Sequence, residues 1–155
     1  MTHKPVPDAK RATRARGDRR APPTRRPPAR HLALGAEGEA RAARHLEAAG
    51  YRIADRNVRA GGVELDIVAE RRGLVVFVEV KTRRGTHQGG AELAVGWSKQ
   101  QRLVRGAVAW LRKRRRPARA MRFDVMAWHV ERTGPGDDDL AWHLTHYEGA
   151  FDGSG

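Results

Sequence analysis

The chain has 155 residues, with 31 Lys/Arg against 18 Asp/Glu and no cysteine. That length allows one domain with appendages and a sizeable core. The missing cysteine excludes a disulfide framework, a thiolate zinc site and a cysteine nucleophile, and fits a reducing cytoplasm. The longest apolar run, Leu74 to Val78, is far too short to cross a bilayer, and no charged-then-apolar leader opens the chain. A cytoplasmic protein without a membrane partner is therefore expected.

The net charge of +13 is uneven: residues 1–30 hold ten Lys/Arg against Asp8 and Asp18, which is +8, leaving +5 for the other 125 residues. Such a balance favours a polyanion, because each neutralised phosphate releases condensed counterions. Residues 1–31 carry Pro5, Pro7, Pro22, Pro23, Pro27 and Pro28 and few large apolar side chains. They are read as a disordered Arg/Pro-rich arm. A folded domain is expected over residues 32–148, and a flexible tail over 149–155.

In chain order, Ala36 to Ala49 reads as a helix stopped by Gly50, with Glu39, Ala43 and Leu46 on one side. A first-turn position would explain Glu39 through the helix dipole alone. Tyr51 to Val58 is a first strand, Val63 to Glu70 a second and Leu74 to Thr82 a third. If Arg72-Gly73 forms a two-residue turn, opposite residues on the second and third strands sum to 145. Asp66 then faces Glu79, Glu64 faces Lys81, and Leu65, Ile67 and Ala69 face Val80, Val78 and Val76. One face becomes continuously aliphatic, and the other holds the ionisable groups beside Val68, Val75 and Phe77.

Arg83 to Gly96 reads as a mobile Gly-rich loop containing His87, a candidate for proton transfer. Ser98 is the expected N-cap of a helix from Lys99 to about Arg114, with Leu103, Val104, Ala107, Val108 and Leu111 inward. Met121 to Val130 is a fourth strand, with Met121, Phe123, Val125 and Ala127 alternating. Leu140 to His146 is a fifth, on the sheet edge. This order predicts an α/β fold, a mixed sheet covered by helices.

The charged pairs matter because Ile67, Val68, Val75 to Val78 and Val80 populate both faces of these strands, so the sheet is expected to be covered on both sides. Carboxylates in such a place are costly unless a cation or substrate needs them. A phosphodiester repels hydroxide, and its hydrolysis is helped by a divalent cation that neutralises charge and activates water. Asp66 and Glu79 are the expected Mg²⁺ ligands, with Mn²⁺ as an alternative and the Val80 carbonyl as a further oxygen. Lys81 supplies a fixed positive charge near the phosphate. Lys99, Gln100 and Arg102, Arg83, and Lys113 within the run from Arg112 to Arg116, are candidate nucleic-acid contacts. No HExxH spacing and no Walker-type loop occurs.

The Glu64-Leu65-Asp66 and Glu79-Val80-Lys81 pair resembles the PD-(D/E)xK, or restriction-endonuclease-like, nucleases. Gly35 to Glu39, Gly62 to Ala69 and Phe77 to Arg83 resemble the YraN family of small bacterial proteins. That likeness continues through Ala94-Val95, Lys99-Gln100 and Arg122-Phe123-Asp124-Val125. Val63 departs from it, standing where that family more usually has Gly, and the arm lies outside it. The family is similar to archaeal Holliday-junction resolvases, in which a first-helix glutamate joins the metal site. By that resemblance Glu39 becomes a fourth carboxylate and metal ligand beside Glu64, Asp66 and Glu79. The fold it implies is a restriction-endonuclease-like core, a central mixed sheet flanked by helices. The activity it implies is metal-dependent cleavage of DNA, including branched DNA. Junction resolvases act as dimers, so the resemblance also raises a homodimer, with the fifth strand as candidate surface. The competing reading is a non-catalytic nucleic-acid-binding protein that retains the nuclease fold.

Overall fold

The computed structural model describes residues 29–85, 95–114, 117–136 and 138–152, with side chains from residue 33 onward. The elements are α1 (Ala29–Ala48), β1 (Arg52–Ala60), β2 (Val63–Arg71), β3 (Leu74–Arg84), α2 (Trp97–Arg112), β4 (Ala120–Arg132) and β5 (Leu140–Phe151). The strands form one sheet in the order β1-β2-β3-β4-β5. Neighbours are antiparallel except β3 and β4, which run parallel and need the crossover that α2 provides. α1 closes one face, packing Ala42, Ala43 and Leu46 on Ile67, Ala69, Val76, Val78 and Met126. α2 closes the other, packing Leu103 and Ala107 on Leu65, Val68, Val75, Phe77, Phe123 and Val125. This is the mixed, doubly covered α/β sheet that the pattern of elements predicts.

The β2–β3 hairpin turns at Arg72-Gly73, both at positive φ (51° and 87°), as a tight turn matched to strand twist requires. It sets the expected register, with Ile67 opposite Val78 and Ala69 opposite Val76. The ladder then stops at Ile67–Val78. Past that point the Val80 N–H donates to Asp66 Oδ2 at 2.8 Å, so a side chain takes a main-chain donor of β3. Leu65 packs on the α2 side, whereas Ile67 and Ala69 pack on the α1 side. The expected continuous aliphatic face is thus broken at Asp66.

Several boundaries differ from the sequence reading. α1 begins at Ala29, so Glu39 lies near the middle of a 20-residue helix and its first-turn explanation falls. Residues 1–28 of the expected arm lie outside the described residues, as do 86–94 with His87, and Arg115 and Arg116. Ser98 is not the N-cap of α2. Gly96 takes that place with extended geometry, and its carbonyl accepts the N–H groups of Lys99 and Gln100. β4 is buried almost continuously from Phe123 to Val130, because helices cover both faces; only its ends, Ala120 and Met121 and then Glu131 and Arg132, are exposed. β5 runs five residues past His146, through the start of the expected tail.

Asp124 explains that extension. It is 1% exposed and accepts Arg122 Nε and Gly149 N on Oδ1, and Arg122 Nη2 on Oδ2, where His146 Nε2 also bonds. The register shift between Phe123 and Val125 and the positive φ of Gly149 mark the bulge that this carboxylate ties down.

α1 approaches β3 closely because Gly38 has no side chain. A Cβ there would collide with Thr82 Oγ1 and come 3.4 Å from Trp128 Cδ1. Gly38→Ala should gain about 1 kcal/mol of helix propensity, yet lower the midpoint of urea unfolding as α1 is pushed off β3. A variant more stable than the parent by that propensity gain would mean that this close approach contributes nothing.

Candidate metal centre and nucleic-acid interface

The end of the β2–β3 ladder leaves a gap where Asp66 and Glu79 meet groups from both helices. Glu79 lies on the α2 side, and its Oε1 is 2.9 Å from Lys99 Nζ in the first turn of α2. Only 10% of its side chain is exposed, and Oε2 is buried with no hydrogen-bond partner among the described residues. A carboxylate oxygen without a donor in that setting is destabilising by its lost hydration. Asp124, the other deeply placed acid, shows the contrast: its four bonds leave little room for a ligand.

Asp66 is half-buried, and its carboxyl is pushed up to about 7, first by burial and next by the charge of Glu79. The bond from Val80 N–H opposes the rise, Glu39 adds to it from α1, and Lys99 opposes it. Glu79 is thus close enough to disfavour the charge of Asp66, and Glu39 acts on Asp66 more weakly. Burial pushes the Lys81 ammonium below its ordinary value; Glu79 opposes this, and Arg83 and Lys99 add to it. Val80 N–H faces Asp66, and in an extended residue the carbonyl points to the same strand edge.

The remaining candidates are placed as follows. Glu64 is exposed and pairs in register with Arg59 of β1, and it is not among the groups that perturb Lys81 or Asp66. The β2–β3 ladder ends before the expected Asp66–Glu79 and Glu64–Lys81 register positions, so neither is a paired position of the sheet. Gln100 Nε2 donates to Val95 O at 2.6 Å, which anchors the chain entering α2. Arg83 is exposed at the end of β3, and Arg102 and Lys113 are exposed on α2 and its C-cap. Arg56 and Arg59 of β1 and Arg105 and Arg112 of α2 are exposed as well, which makes this flank strongly basic. The Lys99–Glu79 bond was not foreseen; the sequence signal for it is only a lysine in the first turn of a crossover helix.

Among the described residues no three His, Asp or Glu side chains lie close enough to enclose a cation alone. Mg²⁺ does not require that, since it commonly takes one or two carboxylates and completes its shell with water and phosphate. The Asp66–Glu79 pair with Val80 O and the orphaned Oε2 fits such a partial donor set.

A family model described as Uncharacterised protein family UPF0102 matches residues 38–128. The chain belongs to that family. The match takes in both acidic motifs and the Arg122–Val125 block. The chain is similar to a UPF0102 protein of Syntrophotalea carbinolica, 45% identical over 124 residues, covering 80% of this chain and 95% of the relative. One from Trichlorobacter lovleyi is 49% identical over 121 residues, covering 77% and 91%. One from Rhodococcus opacus is 50% identical over 99 residues, covering 64% and 84%. Among the described residues no helix is long and apolar enough to cross a membrane.

The raised carboxyl of Asp66 has a consequence for stability. The folded group titrates near 7 and the unfolded one near 3.8, so the fold holds its proton more tightly. The contribution of this group to stability is then fully present below about pH 4 and is lost as pH rises through 7. Asp66→Asn keeps an acceptor for Val80 N–H and removes the charge. In chelator it should flatten the slope and exceed the parent by roughly 2–4 kcal/mol at pH 8 in urea unfolding. Parallel pH profiles for the two proteins would refute this account of the site.

Proposed function

We propose that the chain is a metal-dependent nuclease of the restriction-endonuclease-like class that hydrolyses phosphodiester bonds of DNA, branched or otherwise structured DNA included. The observation that carries this reading is the buried, unpartnered Oε2 of Glu79 beside an Asp66 that Glu79 disfavours as an anion. Both features are costly in the protein alone, and both are relieved by a divalent cation. Asp66, Glu79 and Val80 O are the groups to hold it, with Glu39 adding negative charge from α1. A cation bound there supplies phosphate neutralisation and an acidified water.

The chain's own residues do the rest. Lys81, half-buried on the strand that carries Glu79, sets a positive charge beside the scissile phosphate. Its depressed affinity for a proton, due mainly to burial, also suits it to proton exchange with an attacking water. Lys99 can pass from Glu79 to a phosphate oxygen when substrate enters. The exposed arginines of β1 and α2 hold the flanking backbone, which makes binding salt-dependent. A cytoplasmic setting suits a chain without cysteine.

The test is cleavage of linear, single-stranded and four-way-junction DNA with Mg²⁺, Mn²⁺ or chelator. Asp66→Asn, Glu79→Gln and Lys81→Met should each lower the rate by about 100-fold or more, and chelator should abolish it. Salt-dependent binding without scission in any metal would leave a nucleic-acid-binding protein that retains the fold. Variants that cleave at the parental rate would remove the catalytic assignment.

A further inference from the structure

Arginines gather at the end of β2 opposite to the gap. A cleft of about 590 Å³ opens there between the end of α1 and the β2–β3 turn, walled by Ala49, Arg52, Glu70, Arg71 and Arg72. Arg72 lies six residues beyond Asp66 along extended chain, or about 20 Å. A small ligand in this cleft therefore does not reach the candidate metal centre.

Local structure accounts for part of the charge. Arg71 Nη1 donates to Ala49 O at 2.8 Å, and its guanidinium lies 4.5 Å from the centre of the Tyr51 ring. A cation is favoured beside the last carbonyls of a helix, so Arg71 caps α1. Glu70 pairs with Arg52 through one oxygen and with Arg114 through the other, the latter at 2.6 Å. One carboxylate is thus shared by two guanidinium groups and has little charge left to repel an anion. Arg72 has neither explanation. It is exposed, and among the described residues it has no ion pair. Its φ of 51° is left-handed, where glycine or asparagine would suit the turn better.

The cleft wall therefore presents three guanidinium groups, Arg52, Arg71 and Arg72, against a single acid that is already doubly paired. A guanidinium is a planar fork of N–H donors matched to phosphate oxygens, and Arg71 is held in place before any ligand arrives. The cleft is also of the size that small ligands occupy. We propose that it is a phosphate-binding site, taking the phosphate of a free nucleotide or of a nucleic-acid strand. The site goes beyond the nuclease reading and does not rest on it.

The test reads binding by the full-length chain in chelator. Calorimetric titration with inorganic phosphate and fluorescence anisotropy with a single-stranded oligonucleotide are the two arms. Circular dichroism checks that each variant is folded. Arg72→Asn suits the turn and should weaken binding roughly 10-fold; adding Arg52→Gln should weaken it further. Arg44→Gln removes an equal charge from an exposed position on α1 outside the cleft and should change little. Loss on the oligonucleotide alone assigns the site to a nucleic-acid strand, and loss on both probes extends it to free phosphate. An equal loss in Arg44→Gln, unchanged affinity in the double variant, or no binding of either probe by the parent would overturn the proposal. Neither arm contains metal, so a protein that fails to cut DNA would sink the nuclease reading and leave this result standing.

Discussion

The bond from Val80 N–H to the Asp66 carboxylate is the constraint on which the rest of the candidate site depends. It replaces main-chain pairing just where β2 and β3 would continue side by side. The ladder therefore ends, the alternation of β2 breaks, and a gap opens inside a sheet that is otherwise covered on both faces. An acid at that position is fixed by the backbone and cannot swing out to water. Its charge is then set against Glu79, which Lys99 reaches from α2, while α1 brings Glu39 near enough to act on Asp66.

Both helices are held to this point by small residues and a buried acid. Gly38 lets α1 lie on Thr82 and Trp128, and Gly61 and Gly106 do the same for α2 against the β1–β2 hairpin. Asp124 fixes β5 to β4 through a bulge, which completes the half of the sheet that Arg122 links to Tyr51 and Glu148. The contrast between Asp124 and Glu79 is the clearest guide to function in the molecule. One carboxylate is fully buried, saturated by donors and structural; the other is partly buried and lacks a donor on one oxygen among the described residues.

Much of this was legible in the sequence because it is local. The Arg72-Gly73 turn chemistry and the period-two hydrophobic pattern fix the register from Ile67–Val78 to the turn, and with it the closeness of Asp66 and Glu79. What the sequence hid depends on contacts between distant segments. A side chain taking a main-chain donor breaks strand alternation without any compositional sign, which is why Glu64 is exposed and not in register with Lys81. The cap of α2 fell to Gly96 because backbone geometry and not side-chain chemistry decides it. The length of β5 depends on a carboxylate 25 residues away in β4.

The Lys99–Glu79 pair has a further consequence for ion choice. A lysine already resting on one carboxylate oxygen acts as a tethered counterion within the folded chain. Any ion arriving from solution competes with that tethered ammonium. Sodium or potassium carries no more charge and donates no hydrogen bond, so exchange brings them little advantage. Under the proposed metal-dependent reading, a dication would deliver twice the charge to two acids at once, so the pocket would discriminate by valence before coordination geometry had any part in it.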